Sequence, residues 1–162
     1  MAYHVSMPEP ASQMFHVVFT CTGIKAQKLD LKMPAWTPGY YQLLNYAKNV
    51  ANFKAVDETG KEITWKKQNQ NTWQLQTENT KAFEVSYDVK ATTAFVAQSF
   101  LDSTHGYIVP ASVFLYVAGM LDHAVTVTVK AFKDWANVAT GLEPVAGKQF
   151  TYTATDFDIL YD

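Results

Sequence analysis

From residue 82 to residue 90 the chain alternates without a break. Phe83, Val85, Tyr87 and Val89 interleave with Glu84, Ser86, Asp88 and Lys90. A two-residue period puts every apolar side chain on one face, which a half-buried β-strand satisfies and a helix does not. Residues 14–22 repeat the pattern, with Phe15, Val17, Phe19 and Cys21 on one face and His16, Val18, Thr20 and Thr22 on the other. The lone cysteine therefore reads as a small buried hydrophobe, and no internal disulfide is possible. Further strands are expected at residues 3–7, 28–33, 72–76, 125–130, 136–140 and 150–154, with Trp73 and Leu75 pointing inward. Asp57-Glu58-Thr59-Gly60-Lys61 predicts a hairpin turn between residues 50–56 and 62–68. Those two strands, with 72–76 and 83–90, would make an antiparallel meander. Residues 113–117 are apolar throughout and read as a central strand covered on both faces. A turn is expected over residues 132–135 and a loop over 141–147, while residues 91–106 lose the alternation. No long amphipathic helix and no fixed-period repeat is found. The fold class is mainly β, a two-layer antiparallel β-sandwich with little or no helix.

One segment departs from this pattern. In residues 33–50, Pro34 and Pro38 bracket Ala35-Trp36-Thr37, and neither proline can give an N–H to a ladder. They also push the residues before them toward extended backbone. Gly39 follows as a turn residue, and Trp36, Tyr40, Tyr41 and Tyr46 crowd the same short stretch. Residues 41–48 allow a helical turn or two. Such a stiff aromatic connection either plugs the end of a sandwich core or walls a binding cleft, and the two roles are compatible.

The chemistry the chain lacks narrows its function. A formal charge of −2 with scattered lysines does not make an electrostatic nucleic-acid surface. No apolar stretch is long enough for a membrane helix. The first residues have neither a basic region nor an apolar signal core, so the expected compartment is the cytoplasm, or the periplasm or exterior if a leader has been removed. No His-Glu-x-x-His, CxxC or glycine-rich phosphate loop occurs. His4, His16, His105 and His123 are far apart in sequence, and no metal site is expected from them. Asp102-Ser103-Thr104-His105 holds the residue types of a hydrolase triad, but side chains this close along the chain do not converge in line. A loop held by Asp and Ser side-chain hydrogen bonds is the expected outcome.

Trp36-Thr37-Pro38-Gly39-Tyr40, then Asn45-Tyr46-Ala47-Lys48-Asn49-Val50, resembles the amino-terminal domain of the glycyl aminopeptidase family, zinc metallopeptidases of the gluzincin clan. The likeness continues through Leu101-Asp102 to Gly106-Tyr107, Ser112-Val113-Phe114-Leu115, Trp135 with Val138-Ala139-Thr140-Gly141-Leu142, and the tail Asp156-Phe157-Asp158-Ile159-Leu160-Tyr161-Asp162. Members often carry an arginine shortly before the Leu-Asp segment. This chain has Ala97-Gln98 there and no arginine at all.

The resemblance implies a saddle-like β-sandwich over residues 1–155, with 156–162 beginning a linker to a catalytic domain. It implies no catalytic residue, metal ligand or cofactor in this chain, and zinc in the further domain. The partners implied are that catalytic domain, on the same polypeptide, and a peptide substrate; neither nucleic acid nor membrane is implied. By position, Trp36, Tyr40, Tyr41, Asp102 and His105 are the candidate substrate-binding residues. The competing reading is a stand-alone β-sandwich binding module for carbohydrate or protein, using Trp36, Tyr40, Tyr41, Trp65 and Trp73 as platforms.

Overall fold

A computed structural model describes residues 1–133 and 135–162. Its strands, in chain order, are β1 (Ala2–Ser6), β2 (Met14–Thr22), β3 (Lys28–Lys32), β4 (Val50–Asp57), β5 (Trp65–Asn69), β6 (Thr72–Gln76) and β7 (Ala82–Lys90). Then follow β8 (Thr92–Phe95), β9 (Gln98–Leu101), β10 (Gly106–Tyr107), β11 (Tyr116–Val117), β12 (Val125–Lys130), β13 (Glu143–Pro144) and β14 (Thr151–Ala154). Two short helices, α1 (Pro110–Val113) and α2 (Phe157–Tyr161), and 3-10 turns at Pro10–Ser12 and Tyr46–Asn49 complete the described residues.

A seven-stranded sheet runs β13-β14-β12-β1-β2-β7-β4. A four-stranded sheet runs β11-β3-β6-β5, and a small third sheet runs β10-β9-β8. Every pairing is antiparallel except β1 with β12. The fold is mainly β, as the alternation predicts.

The alternating faces bury as expected. Strands β2 and β7 pair from Met14↔Lys90 to Thr22↔Ala82, so Phe15, Val17, Phe19 and Cys21 lie beside Val89, Tyr87, Val85 and Phe83 on one buried face. Leu29 and Leu31 of β3 meet Leu75 and Trp73 of β6 in the same way. Phe53 of β4 joins the two larger sheets. It stacks on Trp73 with ring centroids 5.5 Å apart, meets Trp65 edge-on at 4.7 Å, and lies 6.5 Å from Tyr87. Fully burying one such side chain is worth about 1.5–3 kcal/mol.

The meander is not formed as the turn signal suggests. The turn at residues 57–61 closes, with Asp57 N–H donating to Lys61 O and Ile63 N–H to Ala55 O. Beyond Ile63 the chain crosses to the other sheet, so β4 pairs with β7 while β5 pairs with β6. Residues 113–117 are not one strand. Pro110 starts α1, and only Tyr116 and Val117 pair, with β3. The buried backbone groups left between these elements are met by tyrosine hydroxyls. Tyr87 donates to Val113 O at 2.8 Å and accepts from Leu115 N–H at 3.2 Å, while Tyr3 donates to Leu115 O. An apolar run that cannot reach a ladder partner is thus satisfied by side chains. Residues 136–140 carry no strand, and residues 91–106 contain most of the third sheet. The turn expected over residues 132–135 falls on Asp134, which lies outside the described residues.

Candidate functional site

The proline-bracketed segment is tied down at both ends. Met33 N–H donates to Asn71 O at 3.0 Å, and Asn71 Nδ2 donates back to Met33 O at 3.1 Å. At the far end Tyr46 is buried, and its hydroxyl donates to Ala97 O at 2.7 Å. Burial, with smaller contributions from Tyr161 and Tyr40, pushes that hydroxyl's pKa up to about 12. Between these anchors Thr37-Pro38-Gly39-Tyr40 makes a turn, with Tyr40 N–H on Thr37 O at 3.2 Å. Gly39 has φ of +79°, the left-handed value that a proline-glycine turn requires at its third position.

This turn forms one wall of a groove of about 920 Å³. Thr37, Pro38, Gly39 and Tyr40 face it from one side, and Tyr107 to Pro110 from the third sheet and the start of α1. Val127 and Val129 of β12 and the segment from Trp135 to Leu142 supply further wall, and Ile159 to Asp162 of the tail complete it. Gly106 packs closely where β10 meets the core: a Cβ there would stand 3.3 Å from Leu101 Cδ1 and 3.4 Å from the Phe15 ring.

Large apolar side chains that remain exposed gather around the groove. Val96, Tyr107 and Ile159 line it, with Val96 71% exposed. Trp36 packs edge-on against Tyr161 at 5.8 Å, and Phe95 edge-on against Tyr40 at 5.1 Å. Tyr41 and Leu43 project from the same loop, 86% and 84% exposed.

The tail is part of this site. Asp156 caps α2 by accepting from Ile159 N–H at 2.8 Å, and Phe157 and Leu160 are buried. The Tyr161 hydroxyl donates to the Trp36 carbonyl, so the tail holds the loop in place. Burial, then Tyr116 and Asp158, raises the pKa of this hydroxyl to about 12.

The five candidate residues fall in two places. Tyr40 lines the groove, and Trp36 and Tyr41 belong to the same loop. Asp102 and His105 sit in the tight turn between β9 and β10, immediately before lining residues Gly106 and Tyr107, and do not line the groove themselves. Asp102 Oδ1 accepts from Thr104 N–H and Thr104 Oγ1 at 2.7 Å each, and from His105 N–H at 3.0 Å. These bonds, the Thr104 hydroxyl foremost, hold the carboxyl below the usual carboxylate range. His105 Nδ1 lies 2.9 Å from Thr104 Oγ1, and its ring leans on Phe100 at 5.3 Å. Asp102 Oδ2 and His105 Nε2 take no partner among the described residues.

Sequence reasoning missed Val96, Tyr107, Ile159 and Tyr161. A usable signal was Phe95-Val96, two adjacent apolar residues where the alternation fails.

The histidines do not gather. His16 Nδ1 pairs with Asp88 at 2.7 Å and His123 Nδ1 with Asp122 at 2.9 Å. Among the described residues no three metal-ligating side chains come together.

The chain matches the peptidase M61 N-terminal domain over residues 2–162. No curated protein matches it. Among solved structures it is similar to an aminopeptidase N family protein from Idiomarina loihiensis, at 25% identity and a TM-score of 0.90, over 99% of this chain and 28% of that one. It also overlaps an M1 zinc metallopeptidase from Deinococcus radiodurans bound to a Tyr-Ser-Ala substrate, at 13% identity and a TM-score of 0.49, over 94% of this chain and 36% of that one. The chain thus spans little more than a quarter of the length of the aminopeptidase N family protein.

Proposed function

Because the chain belongs to the peptidase M61 N-terminal domain family, we propose that it is the non-catalytic β domain of a glycyl/alanyl aminopeptidase-like zinc metallopeptidase. In this reading it docks on the catalytic domain of the same polypeptide and walls one side of the peptide-binding cleft. The observation that carries the reading is the ring of exposed apolar side chains around one groove. Trp36, Phe95, Val96, Tyr107 and Ile159 expose apolar surface on or beside the groove, and Tyr41 and Leu43 expose more from the adjoining loop. A partner domain that covers the ring returns that surface to a dry environment. Trp36, Tyr40 and Tyr41 then form the wall against the peptide. Asp102 and His105 contribute through Oδ2 and Nε2, the atoms their own turn leaves free. The zinc and its proton chemistry belong to the catalytic domain.

The stand-alone module reading loses two of its five rings. Trp73 is buried at 2% exposure, and Trp65 packs edge-on against Phe53.

The test uses the purified chain and a separately expressed M61 catalytic domain. The chain alone is expected to leave glycyl-nitroanilide intact and to hold no stoichiometric zinc. Mixed together, the two pieces are expected to sediment as a complex, and the complex is expected to weaken about tenfold or more in a Tyr41→Ser/Leu43→Ser variant of the chain. Hydrolysis by the chain itself would falsify the non-catalytic assignment. Undiminished association of the variant would remove the docking surface from the apolar ring.

A further inference from the structure

A second pocket, separate from the groove, has the opposite chemistry. It holds about 150 Å³ and lies where the 3-10 turn Tyr46–Asn49, the end of β7, strands β8 and β9, and α1 meet. Its lining is entirely polar apart from the ring of Tyr46, and it contains no carboxylate. Two lysines, Lys48 from the 3-10 turn and Lys90 from the end of β7, line it from separate elements. Neither lysine forms an ion pair among the described residues.

The pocket's floor and mouth differ in how their donors are used. On the floor, Ser99 and Ser112 are 5% and 3% exposed, and their hydroxyls lie 2.6 Å apart. Ser112 Oγ also donates to Val109 O at 2.9 Å, and Ser99 Oγ accepts from Val109 N–H at 2.8 Å. The floor therefore satisfies itself and is rigid. At the mouth, Asn49, Thr92, Thr93 and Gln98 join the two lysines, and none of these side chains bonds elsewhere among the described residues. Six polar residues with uncommitted side chains, two of them cationic and none paired with an acid among the described residues, thus line a space too small for a drug-sized ligand.

We propose that this pocket binds a small tetrahedral oxyanion, free inorganic phosphate or a terminal phosphate ester. Such an anion offers several acceptor oxygens at once, matching donors that arrive from different sides. Lysine supplies point charge and the amides and hydroxyls supply direction. The site owes nothing to the docking reading above, and it uses none of the groove's lining.

The probe is inorganic phosphate, titrated against the purified chain at fixed ionic strength with chloride as the balancing salt. Binding is followed by amide chemical shifts in a nitrogen-15-labelled sample and by thermal midpoint. The expected result is a saturable shift at residues 48–49, 92–93 and 98–99, with a rise in midpoint above the chloride control. Phosphate also stabilises folded proteins by exclusion from their surface, so a rise alone decides nothing without a variant. In Lys48→Gln/Lys90→Gln the saturable shifts are expected to weaken about tenfold or more. The midpoint in chloride should hold, because both side chains are exposed and unpaired. A shift that never saturates, or one of equal affinity in the double variant, would overturn the proposal. So would acetate binding as tightly as phosphate, since a carboxylate offers one charge and two oxygens. A phenyl phosphate arm separates the two sources of the anion. Both binding alike supports a terminal phosphate, and phosphate binding alone supports the free ion.

Discussion

The segment at residues 113–115 and the loop around Trp36 are held by the same device in opposite settings. Each is a stretch of backbone outside any ladder, and each has a carbonyl held by a tyrosine hydroxyl: Tyr87 on Val113, Tyr161 on Trp36. The first pair is sealed in the core, where Tyr87 has no exposure and water cannot replace it. The second lies at the rim of the groove, where Trp36 is 42% exposed. The same bond therefore fixes the fold in one place and aims a loop in the other. An unreplaceable partner makes a bond expensive to lose, whereas a rim bond can be exchanged for water at little cost.

Removing the inner hydroxyl is the strongest way to break this comparison. Tyr87→Phe keeps the ring and leaves Val113 O and Leu115 N–H without their partner, so the expected loss is about 2–4 kcal/mol. Urea midpoints at unchanged slope measure it. A loss below about 1 kcal/mol would mean that the segment rearranges to find other partners, and the distinction between core and rim would fail.

The outer hydroxyl should matter less for stability and more for position. Tyr161→Phe is expected to cost about 0.5–1 kcal/mol, because water can reach the freed Trp36 carbonyl. The variant should also change Trp36 fluorescence, since the indole would no longer be set against a fixed neighbour. A pH series sharpens the point. The hydroxyl's pKa is raised to about 12 in the folded chain, by burial first and then by Tyr116 and Asp158. The unfolded value is about 10, so the fold favours the neutral phenol. That contribution is complete below about pH 10 and is lost as pH rises through about 12. Wild type should therefore lose stability over this window more steeply than Tyr161→Phe. Tyr46 also titrates in this window, but its shift comes first from burial and only secondarily from Tyr161, so the difference between the curves reports chiefly on Tyr161.

The same contrast explains what could be read from the chain beforehand. Strands β2 and β7 announce themselves because one face is core and the other more open, and burial follows the two-residue period residue by residue. The destination of a strand is not written locally. The turn at residues 57–61 is correct as a turn, yet nothing near it records that β4 returns to β7 while β5 joins the other sheet. The run at 113–117 looked like a central strand because an apolar run bonded by tyrosines and one bonded by neighbouring strands have the same composition. The Trp36 loop was legible because two prolines and a glycine fix its backbone. Its opposite walls were not, since Val96 and Tyr107 from the third sheet and its turns and Ile159 of the tail reach the groove from parts of the chain far from residue 36.

A third loop bonds chiefly within itself and predicts the smallest effect. Asp102 Oδ1 takes three bonds from Thr104 and His105 inside one turn. Those bonds, led by the Thr104 hydroxyl, depress the carboxyl's pKa. A depressed folded pKa means that the charged form supports the fold. The support is present above the unfolded value of about 3.9 and is lost as pH falls through the folded value. Asp102→Asn keeps an acceptor oxygen in the same place but not the charge, so the midpoint near pH 7 should fall only slightly. On acidification below pH about 4 the variant should lose less stability than wild type, because it has no proton to take up. Parallel urea titrations at neutral and acid pH read this difference. Equal acid loss in both proteins would show that geometry alone, and not charge, holds the turn. Asp102 would then be no different in kind from the neutral hydroxyls that hold the other two loops.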